Sequence, residues 1–231
     1  RLGKALLREN RTDINMIFTH AHWDHLMGLP FFKPLYKKNA SIIVHGNPLP
    51  DHSMEKIIPT VMQAPLFPVG YRIIAPRITY RDYENNSFSI DSVTVTPFNL
   101  SHPGGGKGYR FEEDGKTFTF ITDNELSHIH PGGLTFDEYR HICDGADLLV
   151  HDAEFTAAER EQTCRWGHSI YTDALKLALE SGVKRFGLFH HNQDRRDEDI
   201  DRIVEECRRI SGTGSGHMDC FALSQEWECI L

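Results

Sequence analysis

The chain has 231 residues, 39% of them hydrophobic, with a net charge of −8 and five cysteines. That length suits one large domain or two small ones with a buried core, while the acidic balance argues against a nucleic-acid partner, which needs a basic face. No apolar run reaches membrane-spanning length, and Cys143, Cys164, Cys207, Cys220 and Cys229 are odd in number without a CxxC pair, which excludes a disulfide framework and a zinc–sulfur site and is expected of a cytoplasmic protein.

In chain order, residues 2–9 have helical spacing and residues 14–18 read as a short buried strand. The polar run Thr19-His20-Ala21-His22-Trp23-Asp24-His25 follows at the strand's end. Apolar residues at Leu29, Phe32, Leu35 and Tyr36 predict a helix over 28–38. Residues 41–45 predict a strand. The proline-rich stretch 46–76 predicts a covering loop, or a flap lining a substrate cleft, with one short helix over 54–58. Strands follow over 88–90 and 93–98, then a hairpin of 109–113 and 116–122 turning at Asp114-Gly115. Helices over 135–143, 172–180 and 198–210 alternate with strands over 148–151 and 185–189. Strands in runs, then strands alternating with helices, predict an α/β layered domain. No linker divides the chain, so residues 1–231 read as a single domain. It begins at Arg1, with one strand before the polar run, so the native N-terminus and further strands are expected to lie outside this sequence.

The chemistry concentrates at strand ends. His20, His22, Asp24 and His25 place three imidazoles and a carboxylate within six residues. Left unpaired, such a cluster is costly, and its ligand types suit zinc and similar ions. His102, Asp123, Asp152 and His190 each follow or end a later predicted strand. His20, His22, Asp24, His25, His102, Asp123 and His190 make seven ligand-type side chains. A catalytic zinc takes about three or four protein ligands, so seven suit two divalent ions sharing a carboxylate, with Asp123 the natural bridge. Consecutive strand-end residues point oppositely, so His190 is expected as the ligand and His191 as a substrate contact or support. Lys107 follows Gly104-Gly105-Gly106 and is placed to meet a phosphate. Trp23 and Trp166 flank these segments and suit stacking on a substrate ring or walling the site. His45, His52, His128, His130, His141, His151 and His217 are expected as ordinary surface or core histidines.

His20-Ala21-His22-Trp23-Asp24-His25 matches the HxHxDH signature, and on it the chain resembles the metallo-β-lactamase superfamily. The continuation Leu26-Met27-Gly28-Leu29-Pro30-Phe31-Phe32 looks like its phosphodiesterase branch of RNase Z-like and cyclic phosphodiesterase-like enzymes. Leu100-Ser101-His102-Pro103-Gly104, Thr122-Asp123-Asn124-Glu125, Gly167-His168-Ser169 and Leu188-Phe189-His190-His191 follow in the branch's order. The resemblance implies a four-layer αββα sandwich. It implies one ion held by His20, His22 and His102, a second held by Asp24, His25 and His190, and Asp123 between them. The ions would be Zn2+, with Mn2+ or Fe2+ as alternatives. It further implies attack on phosphorus by a hydroxide shared by the ions, oriented by Asp24. His168 would contact the phosphoryl group and Asp152 would orient His168. The family's opening strands and their aspartate–glycine turn have no counterpart here.

The expected activity is hydrolysis of a small cyclic or diester phosphate, with no nucleic acid, no membrane and a homodimer left open. Four alternatives stand beside it: a hydrolase of a carbon ester, lactam or thioester; a tRNA 3′-end endonuclease; a non-catalytic binding module; and a di-iron redox protein. The complete ligand set opposes the module. A di-iron site of this superfamily usually recruits a glutamate in the opening motif, where Trp23 and Asp24 stand here.

Overall fold

The buried apolar residues form two clusters with no member in common, one drawn from residues 1–86 and one from 87–231, the two compact units of the chain. A computed structural model describes residues 1–46, 53–83, 86–212, 218–225 and 227–231.

Unit one runs α1 (Leu2–Arg8), β1 (Asp13–Ile17), α2 (Trp23–Leu26), β2 (Ser41–His45), α3 (Met54–Val61) and β3 (Ile78–Arg81). Its strands form a parallel sheet ordered β1-β2-β3, with Asp13 opposite Ser41 and Ile42 opposite Ile78. Ile42 and Val44 of β2 pack with Leu26, Leu29, Leu35, Ile58 and Met62, each near-complete burial contributing about 1.5–3 kcal/mol. The helix predicted over 28–38 is replaced by two 3-10 turns, Leu29–Phe31 and Lys33–Tyr36. Pro30 and Pro34 carry no amide hydrogen, so a continuous helical ladder cannot pass through them. The spacing still buries Leu29 and Leu35. β3 escapes the sequence pattern because it is short and follows the proline-rich stretch directly.

Unit two runs β4 (Phe88–Ile90), β5 (Val93–Asn99), β6 (Lys107–Glu113), β7 (Lys116–Ile121), α4 (Phe136–Ile142), β8 (Leu148–Asp152), α5 (Arg160–Thr163), α6 (Tyr171–Glu180), β9 (Arg185–Phe189), α7 (Asp197–Ser211) and β10 (Asp219–Ala222). Its seven-stranded sheet is ordered β10-β9-β8-β7-β6-β5-β4. The β6–β7 hairpin turns where expected, with positive φ at Asp114 (48°) and Gly115 (76°), the backbone a two-residue primed turn needs. Leu149 and Phe186 of the central strands pack with Ala174 and Ala178 of α6 and Cys207 of α7. β10, which the sequence pattern does not signal, adds to β9 in parallel with Asp219 opposite Arg185.

The direction of these strands decides where polar ends collect. β7, β8 and β9 are parallel neighbours, so their C-terminal ends share one edge. β5 is antiparallel to β6, and β6 to β7, so β5 also ends at that edge. The five cysteines are unpaired, as their number and spacing predict. Among the described residues, no helix is long and apolar enough to cross a membrane.

Candidate functional site

In unit one, the end of β1 leads within a few residues into α2, and this folds the polar run on itself. The His20 ring packs edge-on to His22 at 4.7 Å and tilted to His25 at 4.2 Å between centroids. His25 Nε2 lies 3.0 Å from Asp24 Oδ2, and His20 Nδ1 lies 3.2 Å from Thr19 Oγ1. His20 is buried, His25 is half-buried, and His22 and Asp24 are exposed.

In unit two, the shared edge brings together His102, Asp123, Asp152, Glu154 and His190. Gly167 O can only accept, so His102 Nδ1 carries the hydrogen it donates there, at 2.8 Å. In the neutral ring that leaves a lone pair on Nε2, which lies 4.0 Å from Asp123 Oδ2. Gly167 has φ +94°, and a Cβ there would lie 2.3 Å from His102 Nδ1, so both backbone and space require glycine. His190 Nε2 lies 3.5 Å from the same Asp123 oxygen, and His190 Nδ1 lies 3.3 Å from Glu154 Oε2. Asp123 (φ 41°) and His190 (φ 55°) both hold the left-handed conformation. That conformation costs on the order of 1–3 kcal/mol in a side-chain-bearing residue and persists where the surroundings over-determine it. Thr122 Oγ1 donates to Asp123 Oδ1 at 2.5 Å.

His168 arrives from the segment before α6. Its Nδ1 lies 2.9 Å from Asp152 Oδ2 and 3.3 Å from Glu154 Oε2, and its ring stacks on His190 at 4.8 Å. Asp152 is fully buried and also accepts from the backbone N–H of Asn124 (3.1 Å) and Glu154 (3.0 Å). Burial alone would push the His168 pKa down. The Asp152 hydrogen bond and charge, with Glu154 and Asp123, outweigh it and hold the pKa above the usual imidazole value.

The donor set of unit two fits a divalent ion. Burial would lower the His190 pKa too, yet the Glu154 hydrogen bond and the charges of Asp123, Asp152 and Glu154 raise it to about 10. Three carboxylates thus demand positive charge at this edge, and a cation supplies it as a proton does. Ligand atoms of Asp152, His168 and His190 lie within 4.8 Å of one another. Tetrahedral bonds of about 2.0–2.1 Å put neighbouring donors about 3.3 Å apart, close to the 3.5 Å between His190 and Asp123.

Glu125 and Glu154 escape the sequence reasoning. Glu125 is 1% exposed and accepts from the backbone N–H of Arg165 (2.8 Å) and Gly167 (2.9 Å), while His130 Nε2 lies 3.0 Å away. It therefore anchors the segment that holds His102 and precedes His168. Its signal was its place two residues after Asp123, but partners some forty residues onward cannot be read from spacing. Of the other expected residues, Lys107 opens β6 and donates to Asn99 Oδ1. His191 bonds the Leu223 backbone, and burial lowers its pKa, with the His190 and Arg195 charges adding to the shift. His45, His130 and His151 are buried, His128 is half-buried and His141 is exposed, while His52 and His217 lie outside the described residues.

A family model described as "Beta-lactamase superfamily domain" matches residues 4–191. A ribonuclease Z of Oceanobacillus iheyensis is 24% identical over 243 residues, covering 85% of this chain and 77% of its own. The metallo-beta-lactamase fold protein YhfI of Bacillus subtilis superposes with a TM-score of 0.67 at 16% identity, over 98% of this chain and 81% of that one. That likeness shows the fold the opening motif implies. Human tRNase Z, short form, superposes with a TM-score of 0.55 at 25% identity, over 78% of this chain and 73% of that one. These relatives overturn one expectation. Net charge argued against a nucleic-acid partner, yet the enzymes this chain resembles are named for action on RNA. The inference failed because it averaged charge over the whole chain. Residues 1–86 carry 11 Lys and Arg against 7 Asp and Glu, a net charge of +4. Residues 87–231 carry 14 against 26, a net charge of −12.

Proposed function

The chain belongs to the beta-lactamase superfamily, and from that premise we propose that it is a metal-dependent phosphodiesterase acting on RNA. The observation that carries the reading is His168, hydrogen-bonded to buried Asp152 and stacked on His190 at the edge that also carries Asp123. An imidazole whose Nδ1 is held by a buried carboxylate presents its Nε2 outward, where it can donate to a phosphoryl oxygen. The relatives named ribonuclease Z support RNA as the substrate. The family match spans both units, which supports reading them as one hydrolase domain.

In this proposal His20, His22 and His102 would hold one divalent ion, Asp24, His25 and His190 would hold a second, and Asp123 would contribute to both. Zn2+ is the first choice and Mn2+ or Fe2+ the alternatives, since His and carboxylate sets accept each. When bound, such ions acidify water and neutralise charge on phosphoryl oxygens. Asp24 orients the attacking water. Asp152 holds His168 Nδ1, so that Nε2–H donates to a phosphoryl oxygen or gives its proton to the leaving oxygen. Glu154, 3.3 Å from His168 Nδ1, adds negative charge that helps raise the pKa of the ring.

The test is metal content by mass spectrometry on protein prepared without chelator, paired with cleavage of a tRNA bearing a 3′ extension, bis-p-nitrophenyl phosphate, a carbon ester and a lactam. Two ions per chain with chelator-sensitive RNA cleavage is the expected result. Turnover of the carbon ester or lactam alone would replace the phosphodiesterase reading. Hydrolysis of the small diester without RNA cleavage would remove RNA as substrate. Bound metal with no turnover of any ester would make the chain a binding module.

A further inference from the structure

We propose that the face of unit one from Trp23 to Lys38 is the platform on which a single-stranded segment of the substrate RNA lies. The proposal rests on the phosphodiesterase reading and adds to it the surface that carries the polymer.

Three observations carry it. First, unit one is the basic part of an acidic chain, +4 against −12. A polyanion favours the former and is repelled by the latter. Second, the segment after the histidine run splits its apolar side chains between inside and outside. Leu26 and Leu29 are buried, while Trp23 is 56%, Met27 52% and Phe31 73% exposed. A hydrophobic core explains the buried pair and leaves the exposed aromatics without a structural purpose. Phe31 packs edge-on to Phe67 at 5.5 Å between ring centroids, and the rest of its ring stays open to solvent. Third, Lys33, Lys37 and Lys38 follow at once and are exposed, while Pro34 and Leu35 between them are buried and pin the turn. α1 lies against the same turn, since a Cβ on Gly3 would sit 3.0 Å from the Pro34 ring, and it displays Lys4 and Arg8.

Exposed rings beside a run of cations are what a single strand needs: bases stack on the rings and phosphates meet the cations. An anionic membrane would also meet aromatics and lysines. RNA is favoured because Trp23 stands inside the run that holds His22 and Asp24, and a surface bearing substrate must adjoin the residues that act on it.

The test is fluorescence anisotropy of a labelled single-stranded RNA with the full chain in EDTA, which separates binding from cleavage, across a salt series. Circular dichroism checks that each variant is folded. K33A/K37A/K38A should flatten the slope of log affinity against log salt by about 2. Phe31→Ala should weaken binding by about 5- to 150-fold. R202A/R209A on α7 of unit two should leave binding unchanged. If the unit-one variants bind and cleave RNA as the parent does, the platform is wrong and the phosphodiesterase reading stands. If the parent fails to bind RNA yet hydrolyses bis-p-nitrophenyl phosphate, RNA as substrate falls and the platform with it. Phosphatidylserine vesicle binding that is lost in K33A/K37A/K38A while RNA binding persists would assign the face to a membrane instead.

Discussion

In unit one, four ligand-type side chains come from one run of six residues where β1 gives way to α2. In unit two, His102, Asp123, Asp152 and His190 come from the ends of β5, β7, β8 and β9, spread over nearly ninety residues. The first set is local and needs little beyond a strand and a helical turn. The second exists only if the sheet forms in register, and it depends on long-range anchors such as Glu125. The units also differ in charge: the basic one carries exposed Trp23 and Phe31 close to its lysines, and the acidic one carries the buried carboxylates and one exposed tryptophan, Trp166. Local and assembled halves should therefore respond differently to mutation.

The largest effect should come from the proposed shared ligand. Asp123→Asn should lower both metal content and turnover by more than the roughly 10- to 100-fold that loss of an outer partner costs. Metal analysis and kinetics on one preparation check this, and an unchanged stoichiometry would remove Asp123 from the centre. His168→Ala should keep its metal while kcat falls by about 10²- to 10⁴-fold. Full activity in that variant would take His168 out of the mechanism.

Glu125→Gln should weaken metal affinity by about 10- to 100-fold by loosening the segment that holds His102. A melting temperature shift without any change in metal titration would mean that Glu125 supports only the fold.

The smallest expected effect lies far from the site. Asp147 accepts from Lys184 Nζ and from the Thr117 N–H, and with burial opposing them these hold its pKa down at about 2. A depressed carboxylate stabilises the fold above its unfolded pKa of about 3.9 and loses that contribution as pH falls through the folded value. Asp147→Asn should thus cost about 2 kcal/mol at pH 7, with the gap to the parent closing below about pH 4. Denaturant titrations at several pH values would show it, and a gap independent of pH would exclude the charge as its origin.

Most of the regular structure was legible because local rules generate it. The Asp114-Gly115 pair marked the β6–β7 hairpin, and the helices predicted over 172–180 and 198–210 fall on α6 and α7. Residues 28–38 misled because apolar spacing is blind to the missing amide hydrogens of Pro30 and Pro34. β3 and β10 were hidden because β3 follows the proline-rich stretch directly and β10 is four residues at the end of its sheet, so the neighbour that pairs with each is what defines it.

By itself, the sequence determined the opening histidine run and the family, since both depend on which residues stand close together along the chain, whereas the divided charge needed the boundary between the two units. The resemblance already implied that Asp152 orients His168; only the tertiary structure decided that Glu154 joins that pair, that Glu125 pins Gly167, and that Asp123 and His190 take left-handed backbone. Those contacts follow from the parallel order of β7, β8 and β9, and hydrogen bonds between strands distant in sequence leave no periodic trace along the chain.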